Sequence, residues 1–433
     1  MLSIDAVGHL NPMLAVVSAL TGPSRRARVR AFGSARTVAL YAAAGAETAP
    51  LAFRNPSVAE ARRAACGTAV RAASPLSDLA VRSFLAPYDG LGELVREIGE
   101  FGPDVVVHDV FDLRGKVAAG TLGIPAVALL PFSGLRALGS GFAEEHGARH
   151  PALEAVNDRL VRDFGVDVLG DGVCLPVLFP SRDLSLVTAL EEQTPPRGAT
   201  VRLEGVEREL GGALRWVGPC VGDVHWGADA GVDDGFPFER VARRRADGAL
   251  TVLFSLGTNI ATFRRGAPMG GAPSGAAFYD AALDVVLSAL GGRGDVQLLI
   301  ARGGASGRAW PGNVVAADVL PQRRLLAGVA DAFITHHGYN STAEALLHAV
   351  PMIAFPGYGD QVSNAEFGVR SGVSVAHWDL RNAASTCTPD ALRSAVEDAV
   401  SPAGPAAALP PLRRRLFGHD GPDTAARLIL GLV

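Results

Sequence analysis

Ala332-Phe333-Ile334-Thr335-His336-His337-Gly338-Tyr339-Asn340-Ser341-Thr342-Ala343-Glu344-Ala345-Leu346-Leu347 decides the architecture. A short apolar and β-branched run meets a tight turn at Gly338 and then a helix-forming run, the pattern of a buried parallel strand feeding a helix. The amino terminus of such a helix leaves N–H groups free and carries positive partial charge. It therefore suits a phosphate or diphosphate, with His336 and Ser341 as supplementary donors. Ser341 and Glu344 also have the capping-box spacing, which needs no ligand. Capping alone accounts for those two residues but not for His336 and His337 directly before Gly338. The helix runs on into Val350-Pro351-Met352-Ile353-Ala354-Phe355-Pro356, a second buried strand, and then Gly357-Tyr358-Gly359-Asp360-Gln361. A carboxylate and an amide side by side in a loop after a strand can hold vicinal sugar hydroxyls, although the same residue types also populate ordinary turns.

The alternation extends outward from this stretch. Asp104 to Val107 precedes a helical pattern over Val117 to Leu122, and Leu250 to Leu256 precedes one over Tyr279 to Leu290. Such repetition argues for α/β units on parallel sheets. With 433 residues, and cores that stop growing near about 250 to 300 residues, two domains are expected. The pattern dissolves between residues 195 and 248 into a polar, glycine-rich stretch, where the boundary belongs. A second irregular segment, Ile260 to Ala277, lies between a predicted strand and helix and reads as a loop, either a flap over a site or a surface insertion.

Charge excludes several partners. Forty basic residues stand against 44 acidic ones for a net of −4, so no electrostatic footprint for nucleic acid or anionic lipid stands out. Cys66, Cys174, Cys220 and Cys387 are far apart with no CxxC pair, which fits neither a zinc site nor a disulfide scaffold and points to a reducing cytoplasm. The start of the chain shows no export signal, and the uncharged stretch Val117 to Leu135 holds Pro125 and Pro131, so no stable membrane insertion is expected.

At the amino terminus a short strand, Leu2 to Ala6, is expected to turn through Val7-Gly8-His9-Leu10-Asn11-Pro12 into a helix from Met13 to Leu20. In an open α/β sheet such a turn opens on the ligand crevice, so His9 is placed to act as a general base, or else it caps the turn. Asp109 ends the run Val105-Val106-Val107-His108 and would face the same crevice. A buried carboxylate accepting from one imidazole nitrogen fixes the tautomer and raises the basicity of the other. Side chains alternate along a strand, so His108 is assigned to packing, and Asp112 is a weaker rival partner. No DxD triplet and no cluster of metal-ligand spacing occurs, so no metal is called for. No GxGxxG follows the first strand, and no GxSxG or Walker sequence occurs.

Together these residues resemble the UDP-glycosyltransferase superfamily of the GT-B fold, inverting enzymes that act on small lipophilic acceptors. The likeness covers Gly8-His9 with Pro12, Val107-His108-Asp109, Val217-Gly218-Pro219, Phe254-Ser255-Leu256-Gly257-Thr258, and the run from Pro321 to Ala365. It implies two Rossmann-like, doubly wound parallel-sheet domains facing a central cleft. Residues 1–220 would bind the acceptor, 221–247 would form a linker, 248–414 would bind the nucleotide sugar, and a terminal helix, 415–433, would pack back on the first domain. It also implies that His9 is the base and Asp109 its charge-compensating partner. His336, Gly338, Asn340 and Ser341 would hold the diphosphate, with Ser255 and Thr258 beside it; Gln322 would join the donor site, Glu344 would take the ribose hydroxyls, and Asp360 and Gln361 the sugar. No resident cofactor is implied, only a nucleotide-sugar co-substrate. Asp360-Gln361 favours a UDP-hexose such as UDP-glucose. Val319 stands where many members carry a tryptophan that stacks on uracil, His337 replaces a residue that is usually small and so either narrows the diphosphate pocket or simply packs, and the first strand is short.

The acceptor is expected against the variable segments Phe53 to Pro87 and Phe132 to Ala148, with Phe84, Phe132, Leu135 and Phe142 as apolar lining. Two other classes stay open. One is a non-catalytic nucleotide-sugar-binding accessory protein, disfavoured by the presence of both His9 and Asp109. The other keeps the architecture with different chemistry: a dTDP-deoxysugar, C- or N-transferase, an epimerase, or a transferase acting on membrane lipid.

Overall fold

The computed structural model describes residues 1–50, 77–198, 200–226, 235–261, 264–267, 272, 274–304, 307–377 and 387–433. They form two compact units, residues 1–225 together with 419–433, and residues 226–418. Part of the expected linker thus belongs to the second unit. Helix Phe238–Ala246 lies there, held by the Arg324 guanidinium 3.7 Å from the Phe238 ring centre and by a bond from Gln297 Nε2 to the Val241 carbonyl.

The first unit is built on parallel strands β1 (Arg30–Gly33), β2 (Glu47–Pro50), β3 (Val106–Asp109), β4 (Ala126–Leu130), β5 (Leu184–Val187) and β6 (Leu214–Trp216). β1 pairs with β2, and β3 to β6 follow one another in order. Every position of β3 and β4 is buried, which is why β4 reads as a continuous apolar run, while β3 ends in the buried polar pair His108 and Asp109. Leu2 joins the two groups, bridging in parallel to Phe32 on one side and His108 on the other. The expected strand over Leu2 to Ala6 is thereby reduced to one bridging position. The helix also begins earlier than expected, at Val7 rather than Met13. The Ala6 carbonyl already accepts from the His9 and Leu10 amides, so His9 sits in the first helical turn. Leu10, Met13, Leu14, Val16, Val17 and Leu20 bury the core face of that helix.

The closing helix Gly421–Leu430 packs on helix Val7–Thr21 and is tied to the turn that follows it by Arg25 and Asp423, 2.6 Å apart. Its first residue must be glycine, because a Cβ there would stand 2.5 Å from the Pro219 carbonyl oxygen.

In the second unit β7 (Leu250–Ser255), β8 (Val296–Ala301), β9 (Val314–Ala317), β10 (Ala332–Thr335), β11 (Met352–Ala354) and β12 (Ser374–His377) form one parallel sheet ordered β12-β11-β10-β7-β8-β9. The chain winds outward in both directions from the β7–β10 pair, so the topological switch point, where ligands of open α/β sheets bind, lies at the ends of those two strands. Helices Gly275–Leu290 and Pro389–Val400 bury Phe278, Leu283, Val286, Leu392 and Val396 with Val252 and Phe254 of β7. Truncating Phe254 to alanine would cost about 3–5 kcal/mol by the cavity it opens. Among the described residues no helix is long and apolar enough to cross a membrane.

Candidate active site

In the first unit His9, in the first turn of helix Val7–Thr21, meets Asp109 at the carboxyl end of β3. His9 Nδ1 lies 2.7 Å from Asp109 Oδ2. Asp109 is fully buried, whereas the His9 side chain keeps 21% of its surface. The other carboxylate oxygen accepts the Phe111 amide at 2.8 Å, which fixes the carboxylate's orientation. With the proton on Nδ1 facing Asp109, Nε2 is left as a lone-pair acceptor. Two rivals are disposed of by the same geometry. His108 is fully enclosed, burial pushes its pKa down, and its Cβ packs so close to Gly115 that a methyl there would collide at 2.2 Å. Asp112 is engaged by Arg114 through Nε at 2.7 Å and Nη2 at 2.6 Å and caps helix Leu113–Leu122.

The expected acceptor residues divide. Phe84 and Leu135 have no accessible surface, Phe84 being packed on Phe179 in the core, so neither offers a face to a ligand. Phe132 and Phe142 instead join a cluster around Phe111, a residue the sequence did not single out. Phe111 stands edge-on to His9 with ring centres 5.0 Å apart, and Phe132 and Phe142 each pack on it at 6.2 Å. Residues 53–76 of the expected acceptor segment lie outside the described residues.

The second unit assembles the donor candidates at its switch point. Thr335 of β10 is in register with Ser255 of β7, so His336 and Gly257 follow side by side. His336 is nearly buried and fits against two glycines. A Cβ on Gly257 would stand 2.5 Å from its Nε2, and one on Gly338 would stand 2.4 Å away. Burial lowers the His336 pKa to about 4, against a weaker opposing pull from the Ser255 backbone. The imidazole is therefore neutral at pH 7, a hydrogen-bonding group rather than a charge.

Helix Tyr339–Leu347 starts from Gly338 with no side-chain cap. Capping by Ser341 is thus not what the fold uses; Ser341 lies inside the first turn, and both it and Glu344 face Gln322. Gln322 Nε2 donates to Glu344 Oε2 at 2.8 Å and to Ser341 Oγ at 3.3 Å. Asn340 stands beside them in the same turn. Thr258 is exposed on the short helix Gly257–Ala261.

His337 does not narrow this site. It takes a left-handed φ of 58°, which carries its ring into the core between Ser374 Oγ at 3.2 Å and Thr342 Oγ1 at 3.3 Å. Asn364, unassigned from the sequence beyond its place in the family signature, ties the site together. Its Nδ2 donates to the His337 carbonyl and to Asp360 Oδ2, each at 3.0 Å. Gln361 Oε1 accepts the Gly357 amide at 2.9 Å, bracing the loop that presents Asp360. Among the described residues no three His, Cys, Asp or Glu side chains are grouped to hold a metal ion.

Comparison with known proteins finds glycosyltransferases. The family described as UDP-glucoronosyl and UDP-glucosyl transferase matches residues 303–401. Oleandomycin glycosyltransferase of Streptomyces antibioticus is 26% identical over 99% of this chain and 89% of its own length. Gallate 1-beta-glucosyltransferase 84A23 of Punica granatum is 50% identical, over 48 residues that make up 11% of this chain and a tenth (10%) of that relative. Among solved structures, the glycosyltransferase of kitacinnamycin superposes with a TM-score of 0.69 at 26% identity, covering 100% of this chain and 98% of that one. Spinosyn rhamnosyltransferase SpnG complexed with thymidine diphosphate superposes at 0.62 and 17% identity, covering 100% and 98%. Residues 303–401 thus match the UDP-glucoronosyl and UDP-glucosyl transferase family, and the chain is a glycosyltransferase of the GT-B fold.

Proposed function

We propose that this glycosyltransferase moves a hexose from a nucleoside-diphosphate sugar to a hydroxyl of a small lipophilic, natural-product-like acceptor, with inversion at the anomeric carbon. The observation that carries the reading is the 2.7 Å contact of His9 with the buried Asp109, beside the Phe111, Phe132 and Phe142 rings. His9 Nε2 takes the proton of the acceptor hydroxyl as its oxygen bonds to the anomeric carbon. The bond from that carbon to the diphosphate oxygen breaks and its electron pair leaves with the diphosphate. Asp109 balances the imidazolium that forms.

On the donor side, the positive amino-terminal end of helix Tyr339–Leu347 meets the leaving charge. Neutral His336 contributes a hydrogen bond, and Ser255 and Thr258 stand beside it. Glu344, held by Gln322, takes the ribose hydroxyls, and Asp360 with Gln361 takes the sugar. UDP-glucose is the donor this pair favours. A dTDP-sugar is the second reading. It is favoured by Val319, 55% exposed with no aromatic ring to offer a base, and by the thymidine diphosphate named with spinosyn rhamnosyltransferase.

Titrating the protein with UDP, TDP, GDP and ADP and their hexose conjugates, with melting temperature as readout, tests the donor assignment, because a ligand of the folded state stabilises it by mass action. Selective stabilisation by UDP-glucose supports the first reading and by TDP the second. No shift with any nucleotide contradicts both.

A further inference from the structure

The first unit carries a cavity of about 600 Å³ lined by none of the candidate site residues. It lies along helix Val201–Leu210. On that helix Arg202, Gly205 and Val206 share one face by their three- and four-residue spacing. Gly205 has no neighbour within 4 Å of where a Cβ would lie, so its missing side chain is open space flanked by the wall residues Arg202 and Arg208. The opposite wall is apolar: Leu169 and Leu175 reach it from the loop after helix Pro151–Phe164 and, with Val206, are almost entirely buried.

The charges around this cavity do not balance. Arg149 is paired with Glu154 at 3.0 Å and donates to the Leu169 carbonyl. Arg182 bonds to Asp171 at 3.0 Å and lies 4.0 Å from Glu209. Glu204 is turned to the Gly198 and Thr200 amides. Among the described residues that leaves Arg202 without hydrogen bond or ion pair, its Nη1 lodged against Gly147. Burial and the nearby Arg149 charge both push the Arg202 pKa down. Arg202 and Arg149 are held near one another above an apolar floor, Glu154 and Glu204 are committed elsewhere, and the wall residue Glu209 is mostly turned to solvent, so an anion that brings its own apolar body relieves the two guanidiniums.

We propose that this cavity is a binding site for a small amphipathic carboxylate, its headgroup on Arg202 and Arg149 and its apolar body along Gly205, Val206 and Leu175. Calorimetric titration of the full chain with 1-naphthoate, against neutral 1-naphthamide, tests it. The carboxylate is expected to bind about tenfold or more tightly than the amide, the difference a charge-assisted hydrogen bond makes. Arg202→Met should erase that difference. Gly205→Leu, which improves helix propensity and fills the gap, should abolish binding of both probes without lowering the melting temperature. His9→Ala should leave naphthoate binding unchanged. Equal affinity for the two probes, no binding at all, or binding that survives both Arg202→Met and Gly205→Leu overturns the proposal; loss on His9→Ala does so as well, by placing naphthoate at the acceptor site.

Discussion

The His336 imidazole rests on Gly257 so closely that a Cβ on that glycine would stand 2.5 Å from Nε2. Two strand ends in register bring this about, since Ser255 and Thr335 pair across the switch point, with Gly257 two residues beyond the one and His336 directly after the other. Gly257 also holds a φ of 75°, which side-chain-bearing residues seldom adopt. Gly257→Ala is therefore expected to displace His336 and to weaken nucleotide diphosphate binding about tenfold or more, the loss of one buried hydrogen bond plus local strain. Calorimetry with UDP and TDP measures it; unchanged affinity would refute the donor role of this pair.

Asp109→Asn tests the orienting carboxylate. The fold should persist, because the amide oxygen can still accept the Phe111 amide, but the imidazolium loses its counter-charge and the correct tautomer its anchor. Turnover should fall by about a hundredfold to ten-thousandfold with donor affinity intact. A variant within about threefold of the parent in turnover would contradict the dyad, since general-base catalysis is worth far more than that.

Buried His336 gives stability a pH dependence with a definite sign. Its pKa is lowered from 6.5 to about 4 on folding, so between these values the unfolded chain binds the extra proton and stability rises with pH. The shift corresponds to about 3 kcal/mol, lost as pH falls from above 6.5 towards 4. Urea midpoints from pH 4 to 7 should show this slope, and His336→Asn should flatten it.

Much of this was legible in the sequence because strand ends and helix starts leave local marks. The strand-turn-helix from Ala332 to Leu347, the His9 and Asp109 pair and the parallel-sheet class followed from apolar runs and their punctuation. Local pattern misled where long-range packing decides. Ser341 and Glu344 have capping-box spacing, yet Gln322, distant in sequence, claims both. Of the two readings of His337, narrowing the diphosphate pocket or packing, the positive φ that carries its ring into the core selects packing. Phe84 is as apolar as Phe142, and only the tertiary fold sends one into the core and the other beside Phe111. Phe111 and Asn364 left no individual signal, since each acts through a neighbour brought near by the chain.

The central claim is that His9 removes the acceptor proton. Once a donor and an acceptor are in hand, kcat for His9→Ala against pH, with donor affinity measured in parallel, tests it most directly. The account predicts turnover reduced by about a hundredfold or more, loss of the acidic limb of the pH profile, and nucleotide binding unchanged. An active His9→Ala enzyme with the parent's pH profile would contradict it.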